Sequence, residues 1–265
     1  MPPELPEVET FVRGLAQAVG RTIASADVFD TRLAVTPEDI DGAKIAEIVR
    51  RGKYIRIGFE DGRTLVVHLR MSGRLRLDCD ECERDYVRMV LHLDDGTSIY
   101  FVDPRRLGTA DLCEDGNEIP LGVEPLDPQF TKARLAELAG RSRAPIKSFL
   151  LDQRKVAGIG NIYAAESLWQ ARIDPRRRAD ELSRVEIERL HRSIVSVLGS
   201  AVEQLGTTLG SGVSDYRPTA AEGGMYQNHL AVYGREGEAC ERCGETIERV
   251  IQAGRSTCFC PKCQR

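Results

Sequence analysis

Residues 240–263, CERCGETIERVIQAGRSTCFCPKC, contain two Cys-x-x-Cys pairs with sixteen residues between them. Each pair allows two thiolates to reach one ion from a tight turn, and four thiolates complete the closed tetrahedral shell that structural zinc prefers. A segment this short buries too little apolar surface to fold alone, and the ion contributes about 10 kcal/mol or more in small zinc peptides. We therefore predict one structural zinc ion bound by Cys240, Cys243, Cys260 and Cys263.

The rest of the chain has the composition of a globular protein with more than one domain. Its 265 residues include no run of eighteen apolar residues and no basic segment followed by a short apolar run. These features predict a cytosolic protein with reduced thiols and no membrane partner. The net charge of -4 argues against a protein that coats nucleic acid, because phosphate binding needs concentrated positive charge. Any DNA binding must then use local clusters, such as Arg50, Arg51 and Lys53.

The pattern of apolar residues changes twice along the chain. Residues 5–20 predict an amphipathic helix that begins near Pro6 and ends at Gly20. Residues 23–112 read as short strands, with two hairpins that each turn at Asp-Gly. Residues 113–131 resemble a linker. Four helical segments follow over 132–205, and 206–230 lacks a periodic pattern, which predicts a long functional loop.

Six sequence segments occur in an order that resembles a known family of repair enzymes. They are MPPELPEVET (1–10), RRGKY (50–54), HLRMSGRL (68–75), DPRRLG (103–108), LLDQRKVAGIGNIYAAESLW (150–169) and GRSTCFCPKCQ (254–264). Together with the zinc pattern they resemble the formamidopyrimidine-DNA glycosylase family of bacterial base-excision repair, which also includes the endonuclease VIII enzymes. The resemblance spans the whole chain.

The resemblance implies an α+β fold and a division into three parts. The expected parts are an N-terminal β-sandwich with a flanking helix over 1–125, a helix-two-turns-helix domain over 126–230, and a zinc-finger β-hairpin over 231–265. The loop 206–230 is expected to cap the damaged base. The expected partner is damaged double-stranded DNA, bound by a monomer in the bacterial cytosol and nucleoid.

The implied reaction is removal of an oxidised purine followed by strand scission at the abasic site. One amine can do both steps by forming an iminium with the opened sugar, and a terminal proline suits this role because its amine is secondary. Removal of Met1 would expose Pro2. Glu4 is the candidate acid that protonates the ring oxygen of the sugar.

The N-terminus departs from the family in one respect. Relatives read Met-Pro-Glu-Leu-Pro-Glu, whereas this chain has a second proline, so Pro3 occupies the usual place of the nucleophile if Pro6 fixes the register. Pro3 is an internal tertiary amide without a nucleophilic nitrogen. Either Pro2 carries the free amine and the extra residue bulges, or processing reaches Pro3, or glycosylase activity is impaired; we favour Pro2.

Further residues match family positions that contact DNA. Lys53 matches a lysine that contacts phosphate and assists elimination, and Arg255 matches an arginine whose planar fork binds the phosphates beside the lesion. Asn161 opens a helix at a Gly-rich turn, where amides bind phosphate. Lys147 is expected to be a further phosphate contact, and Glu166 resembles an acidic residue near the lesion.

An enzyme that attacks a base within a duplex must rotate the nucleotide out and fill the space it leaves. Met71, Arg105 and Leu107 match the residues that fill this space in the family, although Leu107 stands where phenylalanine is frequent. Tyr86 occupies a DNA-contacting position at which relatives often have histidine.

Two alternative functions remain open from the sequence alone. An endonuclease VIII-type enzyme would prefer oxidised pyrimidines, and a damage-binding protein would have lost catalysis through the doubled proline. The sequence does not fix the lesion, the opposite base or the removal of Met1. It also leaves the roles of four further cysteines open: Cys79, Cys82, Cys113 and Cys258.

Overall fold

The computed structural model describes residues 2–77, 79–114, 120–210, 215–217 and 223–265. The chain divides into two compact units. The first comprises 1–119 and 202–227, and the second comprises 120–201 and 228–265. The predicted α+β class is confirmed, whereas the three-part division at 125 and 230 stays a prediction.

The first unit contains two four-stranded antiparallel sheets. Apolar side chains from both sheets, such as Ile57 and Phe101, belong to one buried core, which confirms the predicted β-sandwich. One sheet consists, in spatial order, of β1 (Ile23–Val28), β6 (Val87–Leu93), β7 (Ser98–Val102) and β5 (Arg74–Arg76). The other consists of β2 (Ile45–Arg51), β3 (Tyr54–Phe59), β4 (Thr64–His68) and β8 (Thr109–Cys113).

Both predicted hairpins are present. β3 pairs with β4 and β6 pairs with β7, each across an Asp-Gly turn. Gly62 and Gly96 have φ angles of 89° and 86°, a region that favours glycine because other residues clash there. The Asp-Gly pairs therefore fix the positions of these turns.

Two helices accompany the sandwich. α1 (Leu5–Gly14) begins with a proline in its first turn and buries Val8 and Phe11 in the core. The predicted helix ran to Gly20, but the chain tightens after Gly14 into a 3₁₀ turn over Ala16–Ala18. This change keeps Leu15 and Ala18 in the same core. α2 (Pro37–Ile40) is a single turn.

The second unit is helical and ends in a hairpin. Its elements are α3 (Lys132–Gly140), α4 (Ile146–Leu151), α5 (Asn161–Ala171), α6 (Arg184–Glu203, of which the last two residues belong to the first unit), β9 (Glu248–Gln252) and β10 (Arg255–Phe259). The Gln153 side chain fixes the turns between α4 and α5, since its amide donates to the carbonyl oxygens of Leu151 and Ile159 and accepts from the Gly158 N–H. The predicted helix-two-turns-helix segment and hairpin are both confirmed.

Two irregular segments were predicted, and both are only partly described. Residues 113–131 include the end of β8, and 115–119 lie outside the described residues. Of the loop 206–230, residues 211–214 and 218–222 lie outside them too, while Tyr226–His229 forms a 3₁₀ turn. None of the helices in the described part of the chain has both the length and the apolar character needed to cross a bilayer.

Candidate active site and nucleic-acid interface

The N-terminal segment of the first unit is held against α1. Pro3 and Glu4 are buried, and Pro2 is half-buried. The Glu7 carboxylate accepts the Glu4 N–H at 2.8 Å and, through its other oxygen, the Thr207 N–H at 2.8 Å. One buried side chain therefore connects the proposed nucleophile segment to the start of the loop 206–230. Sequence reasoning missed this role of Glu7, because its partner lies two hundred residues away.

Lys53 lies in the turn between β2 and β3. Gly52 has a φ of 59° in this turn. The Arg50 guanidinium donates to Glu9 of α1 at 3.0 Å and to the Gly52 carbonyl oxygen at 3.2 Å. Arg50 thus fixes the turn relative to α1, so its own positive charge has a structural role beside the candidate phosphate-binding lysine.

His68 lies at the end of β4. Its ring packs edge-on against Tyr54, with centroids 4.4 Å apart. Burial, followed by the charges of Arg70 and Lys53, lowers the pKa of His68 to about 4. Its Nδ1 accepts the Arg70 N–H at 2.9 Å, which places the single ring proton on Nε2. His68 is therefore a neutral hydrogen-bond donor near Lys53 at physiological pH.

The structure brings two of the predicted void-filling segments together through one carboxylate. Asp103 accepts the Ser72 hydroxyl at 2.5 Å and the backbone N–H groups of Leu107 and Gly108 at 2.7 Å each. It also accepts the Arg105 N–H at 3.3 Å. Asp103 is 1 % exposed, whereas the Leu107 side chain is 44 % exposed. A buried acid thereby shapes an exposed loop that displays an apolar side chain.

Met71, Arg105 and Tyr86 lie around this loop. Met71 is half-buried directly before Ser72, and Arg105 is exposed. Tyr86 is half-buried, and its carbonyl oxygen accepts the Asp103 N–H at 2.8 Å. The structure therefore groups these predicted DNA-binding residues at one site.

Arg106, next to Arg105, has a different environment. Its guanidinium binds Asp30 through two hydrogen bonds of 3.0 and 2.9 Å, and Arg32 binds the same carboxylate. Arg32 and Arg106 hold the pKa of the Asp30 carboxyl well below its usual range. Both arginines are exposed, but the guanidinium of Arg106 is paired with Asp30 and so helps to fix the loop.

In the second unit, Arg255 lies at the tip of the β9–β10 hairpin. Ala253 and Gly254 form the two-residue turn with φ angles of 48° and 73°, as hairpin turns of type I′ require. Arg255 pairs with Gln252 across the turn and is exposed. The turn therefore presents the guanidinium to solvent at the end of a rigid hairpin.

Lys147 and Asn161 support this hairpin from the helices. The Lys147 ammonium donates to the Ser256 carbonyl oxygen at 2.9 Å and to the Thr257 hydroxyl at 2.7 Å. The Asn161 amide donates to the same carbonyl at 3.1 Å. Lys147 is 1 % exposed, which does not fit the predicted direct phosphate contact, because a buried ammonium bound to protein oxygens is not available to DNA. Asn161 is half-buried at the start of α5, as predicted.

Glu166 is buried in α5 and holds the segment that precedes the zinc site. Its carboxylate accepts the N–H groups of Ala231, Val232 and Tyr233 at 2.8, 3.1 and 2.8 Å. Burial raises the pKa of the Glu166 carboxyl, and the three N–H donors oppose that shift. A carboxylate enclosed in this way is not available for direct contact with DNA, and its position near the lesion stays a prediction.

The four predicted metal ligands form one cluster, with all sulfur atoms within 4.8 Å of one another. The Cys240–Cys263 and Cys243–Cys260 sulfur distances are 4.0 and 3.5 Å. A tetrahedral site with Zn–S bonds of about 2.3 Å has edges of about 3.8 Å, so the cluster fits one structural zinc ion. Trp169 donates its indole N–H to the Cys240 sulfur at 3.5 Å.

Among the described side chains, the other cysteines take no part in this site. Cys258 is buried on β10 beside the zinc ligands but is not one of the clustered thiols. Cys79 and Cys113 are half-buried in the first unit. Among the described side chains, which exclude that of Cys82, no second group of metal ligands occurs.

Comparisons with known proteins agree with this architecture. Three family models match: the formamidopyrimidine-DNA glycosylase N-terminal domain over residues 1–110, its H2TH domain over 121–212, and the zinc finger found in FPG and IleRS over 237–265. The formamidopyrimidine-DNA glycosylases of Lactiplantibacillus plantarum and Chloroflexus aurantiacus are 42% and 43% identical. The matches cover 99% of this chain and 99% and 97% of those proteins.

Solved structures show the same relationship. The MutM (Fpg) protein of Thermus thermophilus superposes with a TM-score of 0.89 at 42% identity, covering 99% of this chain and 98% of that one. Lactococcus lactis Fpg in complex with DNA containing an abasic site gives 0.87 at 34% identity, with 99% of each chain covered.

A β-sandwich, a helix-two-turns-helix segment and a four-cysteine zinc finger in one chain define a DNA glycosylase of base-excision repair. Within this class, the chain shares more than 40% of its residues with formamidopyrimidine-DNA glycosylases over almost their full length. The chain belongs to the formamidopyrimidine-DNA glycosylase family, an enzyme family in which abasic-site lyase activity is typical.

Proposed function

We propose that this enzyme removes oxidised purines, such as 8-oxoguanine and formamidopyrimidines, from double-stranded DNA and then cleaves the strand at the abasic site. The observation that carries the proposal is the N-terminus: a half-buried Pro2 directly precedes a buried segment whose Glu4 is fixed through Glu7. The names of the relatives and the Lactococcus lactis complexes with Fapy-dG and abasic DNA support the lesion class.

The proposed reaction begins at the Pro2 nitrogen after removal of Met1. The nitrogen attacks C1′ of the sugar, the bond from C1′ to the base breaks, and the base leaves with the bonding electrons. Glu4 takes the proton from the Pro2 nitrogen and passes it to the ring oxygen, so the bond from C1′ to that oxygen breaks, the sugar opens and an iminium forms between C1′ and Pro2. Loss of a proton from C2′ then expels the 3′ phosphate, and a second elimination expels the 5′ phosphate. Lys53 assists these steps by neutralising phosphate and donating a proton.

The DNA contacts divide into direct and indirect ones. Lys53, Arg255 and Asn161 are proposed to bind phosphate directly. Lys147 is proposed instead to position the Arg255 hairpin, since its ammonium binds Ser256 and Thr257. Glu166 is proposed to position the segment 231–233 in the same indirect manner.

Insertion into the duplex is assigned to the loop shaped by Asp103. Met71, Arg105 and Leu107 would fill the space left by the rotated nucleotide, with Leu107 as an apolar wedge. Tyr86 would contact DNA beside them. The protein would act as a monomer, and its place of action would be the bacterial cytosol and nucleoid, because the relatives are bacterial enzymes.

Borohydride trapping tests this proposal on a duplex with 8-oxoguanine opposite cytosine. We expect a covalent adduct that is lost when the terminal amine is blocked. More efficient trapping on a duplex with an oxidised pyrimidine would instead support the endonuclease VIII type. Tight binding of the lesion duplex with no adduct and no cleavage would support a damage-binding protein and refute the enzyme.

Intact mass spectrometry together with deletion of Pro2 identifies the nucleophile. We expect the purified protein to lack Met1, so that Pro2 begins the chain. Deletion of Pro2 creates the Met-Pro-Glu-Leu start of the relatives, and we expect comparable activity from both forms. A large gain of activity on deletion would show that the extra proline impairs catalysis, and full activity with Met1 retained would exclude the covalent route through Pro2.

A further inference from the structure

The middle of the loop 206–230 is attached to the first unit at Asp215 and Tyr216. The Asp215 carbonyl oxygen accepts a hydrogen bond of 2.5 Å from the Arg74 guanidinium on β5. Beside it, the Tyr216 ring packs edge-on against Phe11, with centroids 5.3 Å apart, and its hydroxyl donates to the Leu205 carbonyl oxygen at 2.8 Å. Two independent contacts therefore fix this point of the loop.

Arg74 reaches Asp215 from a fully enclosed position. It is 1 % exposed, and its guanidinium also binds Glu83, which lies in the 3₁₀ helix Glu81–Tyr86 and is 5 % exposed. Arg76, on the same strand and 3 % exposed, binds the other Glu83 oxygen. Burying these charges is costly without close partners. The chain thus maintains a buried ionic cluster at the place where the loop meets the sheet.

The residue type suits a bridge between Glu83 and the loop. A guanidinium is planar and carries five N–H donors, so it can bind a carboxylate and a carbonyl oxygen at the same time in fixed directions. A lysine ammonium carries the same charge as a single point on a flexible stem. Burial lowers the pKa of the Arg74 guanidinium, and the Glu83 charge opposes that shift. Glu83 therefore stabilises the buried positive charge of the guanidinium.

We propose that Arg74, held by Glu83, is a positioning residue that fixes the lesion-capping loop at Asp215 and so determines how well the enzyme recognises a damaged base. The proposal rests on the proposed function, because it assumes that the loop covers the base before excision. An abasic site has no base to cover. Loss of the Arg74–Asp215 bond should therefore slow base excision while leaving strand cleavage at a preformed abasic site intact.

The test compares two reactions of the full-length enzyme under single-turnover conditions. The substrates are a duplex with 8-oxoguanine opposite cytosine and the same duplex with a preformed abasic site. For Arg74→Lys we expect excision to slow at least tenfold and abasic-site cleavage to change less than twofold. Glu83→Gln is a second variant for which we expect the same difference between the two reactions. Because it keeps the Arg74 side chain, it also serves as the test if Arg74→Lys folds poorly.

Leu75→Val is the matched control for stability. Leu75 lies between the two arginines on β5 and is fully buried in the apolar core. This change lowers stability without removing a hydrogen bond, and we expect both reactions to slow equally or not at all. Equal slowing of both reactions in Arg74→Lys and Glu83→Gln, or no slowing in either, would overturn the positioning role. A wild-type enzyme inactive on both substrates would instead refute the proposed function itself.

Discussion

At the scale of single residues, bonding partners separate side chains that the sequence cannot distinguish. Arg105 and Arg106 are neighbours of the same type, yet only Arg106 binds Asp30. Lys147 resembles a phosphate contact in the sequence, but its ammonium is enclosed by protein oxygens. The basic clusters predict where DNA binds, and their contacts with DNA stay a prediction. They could not show which charges already have partners, because those partners are distant in sequence.

The Asp103→Asn variant tests the carboxylate that shapes the void-filling loop. The asparagine amide keeps one acceptor oxygen, but an N–H₂ group replaces the other. Whichever way the amide is turned, at least one group that donates to Asp103 loses its acceptor, either the Ser72 hydroxyl or the N–H groups of Leu107 and Gly108. Hydrogen bonds to charged groups are worth about 1.5–3 kcal/mol each, and we expect the free energy of unfolding to fall by at least that of one bond. We also expect slower excision of 8-oxoguanine. Asp111→Asn, an exposed residue on β8, is the control and should change neither denaturant unfolding nor excision.

His68 should make stability depend on pH. Its pKa is about 4 in the folded protein and about 6.5 in an unfolded chain. The unfolded state therefore binds more protons between these values, and stability is full above pH 6.5 and is lost as the pH falls towards 4. At pH 5 the loss from this residue is up to about 2 kcal/mol.

Urea unfolding of the wild type and of His68→Gln at pH 7 and pH 5 measures this loss. Carboxylates lose stability in acid in both proteins, so the difference between their pH dependences isolates His68. We expect the variant to lose less free energy of unfolding between the two pH values. Equal losses would show that His68 is not buried as a neutral ring.

At the scale of elements, local patterns predicted what local physics determines. The Asp-Gly turns predicted both hairpins of the first unit. The helical periodicity predicted the helices of the second unit, and the cysteine spacing predicted the zinc finger. The end of α1 was placed at Gly20 instead of Gly14, because the tightening that keeps Leu15 and Ala18 in the core depends on the sheets beneath. The contact of Glu7 with Thr207 could not be predicted, since nothing local marks a buried carboxylate that joins distant segments.

The β9–β10 turn allows a matched test of how the hairpin presents Arg255. A Cβ atom at Gly254 would meet no atom within 4 Å, and the same is true at Gly140 at the end of α3. Only Gly254 has a positive φ, 73°. Gly254→Ala should therefore introduce backbone strain of about 1–2 kcal/mol, whereas Gly140→Ala should not.

Fluorescence anisotropy with an abasic-site duplex measures the consequence at moderate salt. We expect Gly254→Ala to weaken DNA binding several-fold and Gly140→Ala to bind like the wild type. Arg255→Ala should weaken binding at least as much as Gly254→Ala and reduce the salt dependence of the affinity by about one phosphate contact. If Gly254→Ala binds as tightly as the wild type, the turn conformation does not govern the contact.

At the scale of the whole molecule, a chain of net charge -4 needs positive charges concentrated at particular positions to bind a polyanion. The parts of the structure that hold the candidate DNA-binding residues in position differ between the two units. An apolar sandwich core supports the loops of the first unit. In the second unit, the short hairpin with Arg255 depends on the four thiolates and on hydrogen bonds from α4 and α5. Removal of the metal should therefore affect the units unequally.

Chelation of zinc should abolish DNA binding while the β-sandwich stays folded. Trp169 is the only tryptophan in the chain, and its indole N–H donates to the Cys240 sulfur, so its fluorescence reports on the finger. We expect a strong chelator to change this emission and the DNA affinity together, with little change in the β-sheet signal of circular dichroism.

Cys260→Ser should behave like the chelated protein, because it removes a ligand. Cys258→Ser is the matched control, since this neighbouring buried thiol lies outside the metal cluster. Zinc loss from Cys258→Ser but not from Cys260→Ser would reverse the ligand assignment, and global unfolding on chelation would show that the sandwich is not independent of the ion.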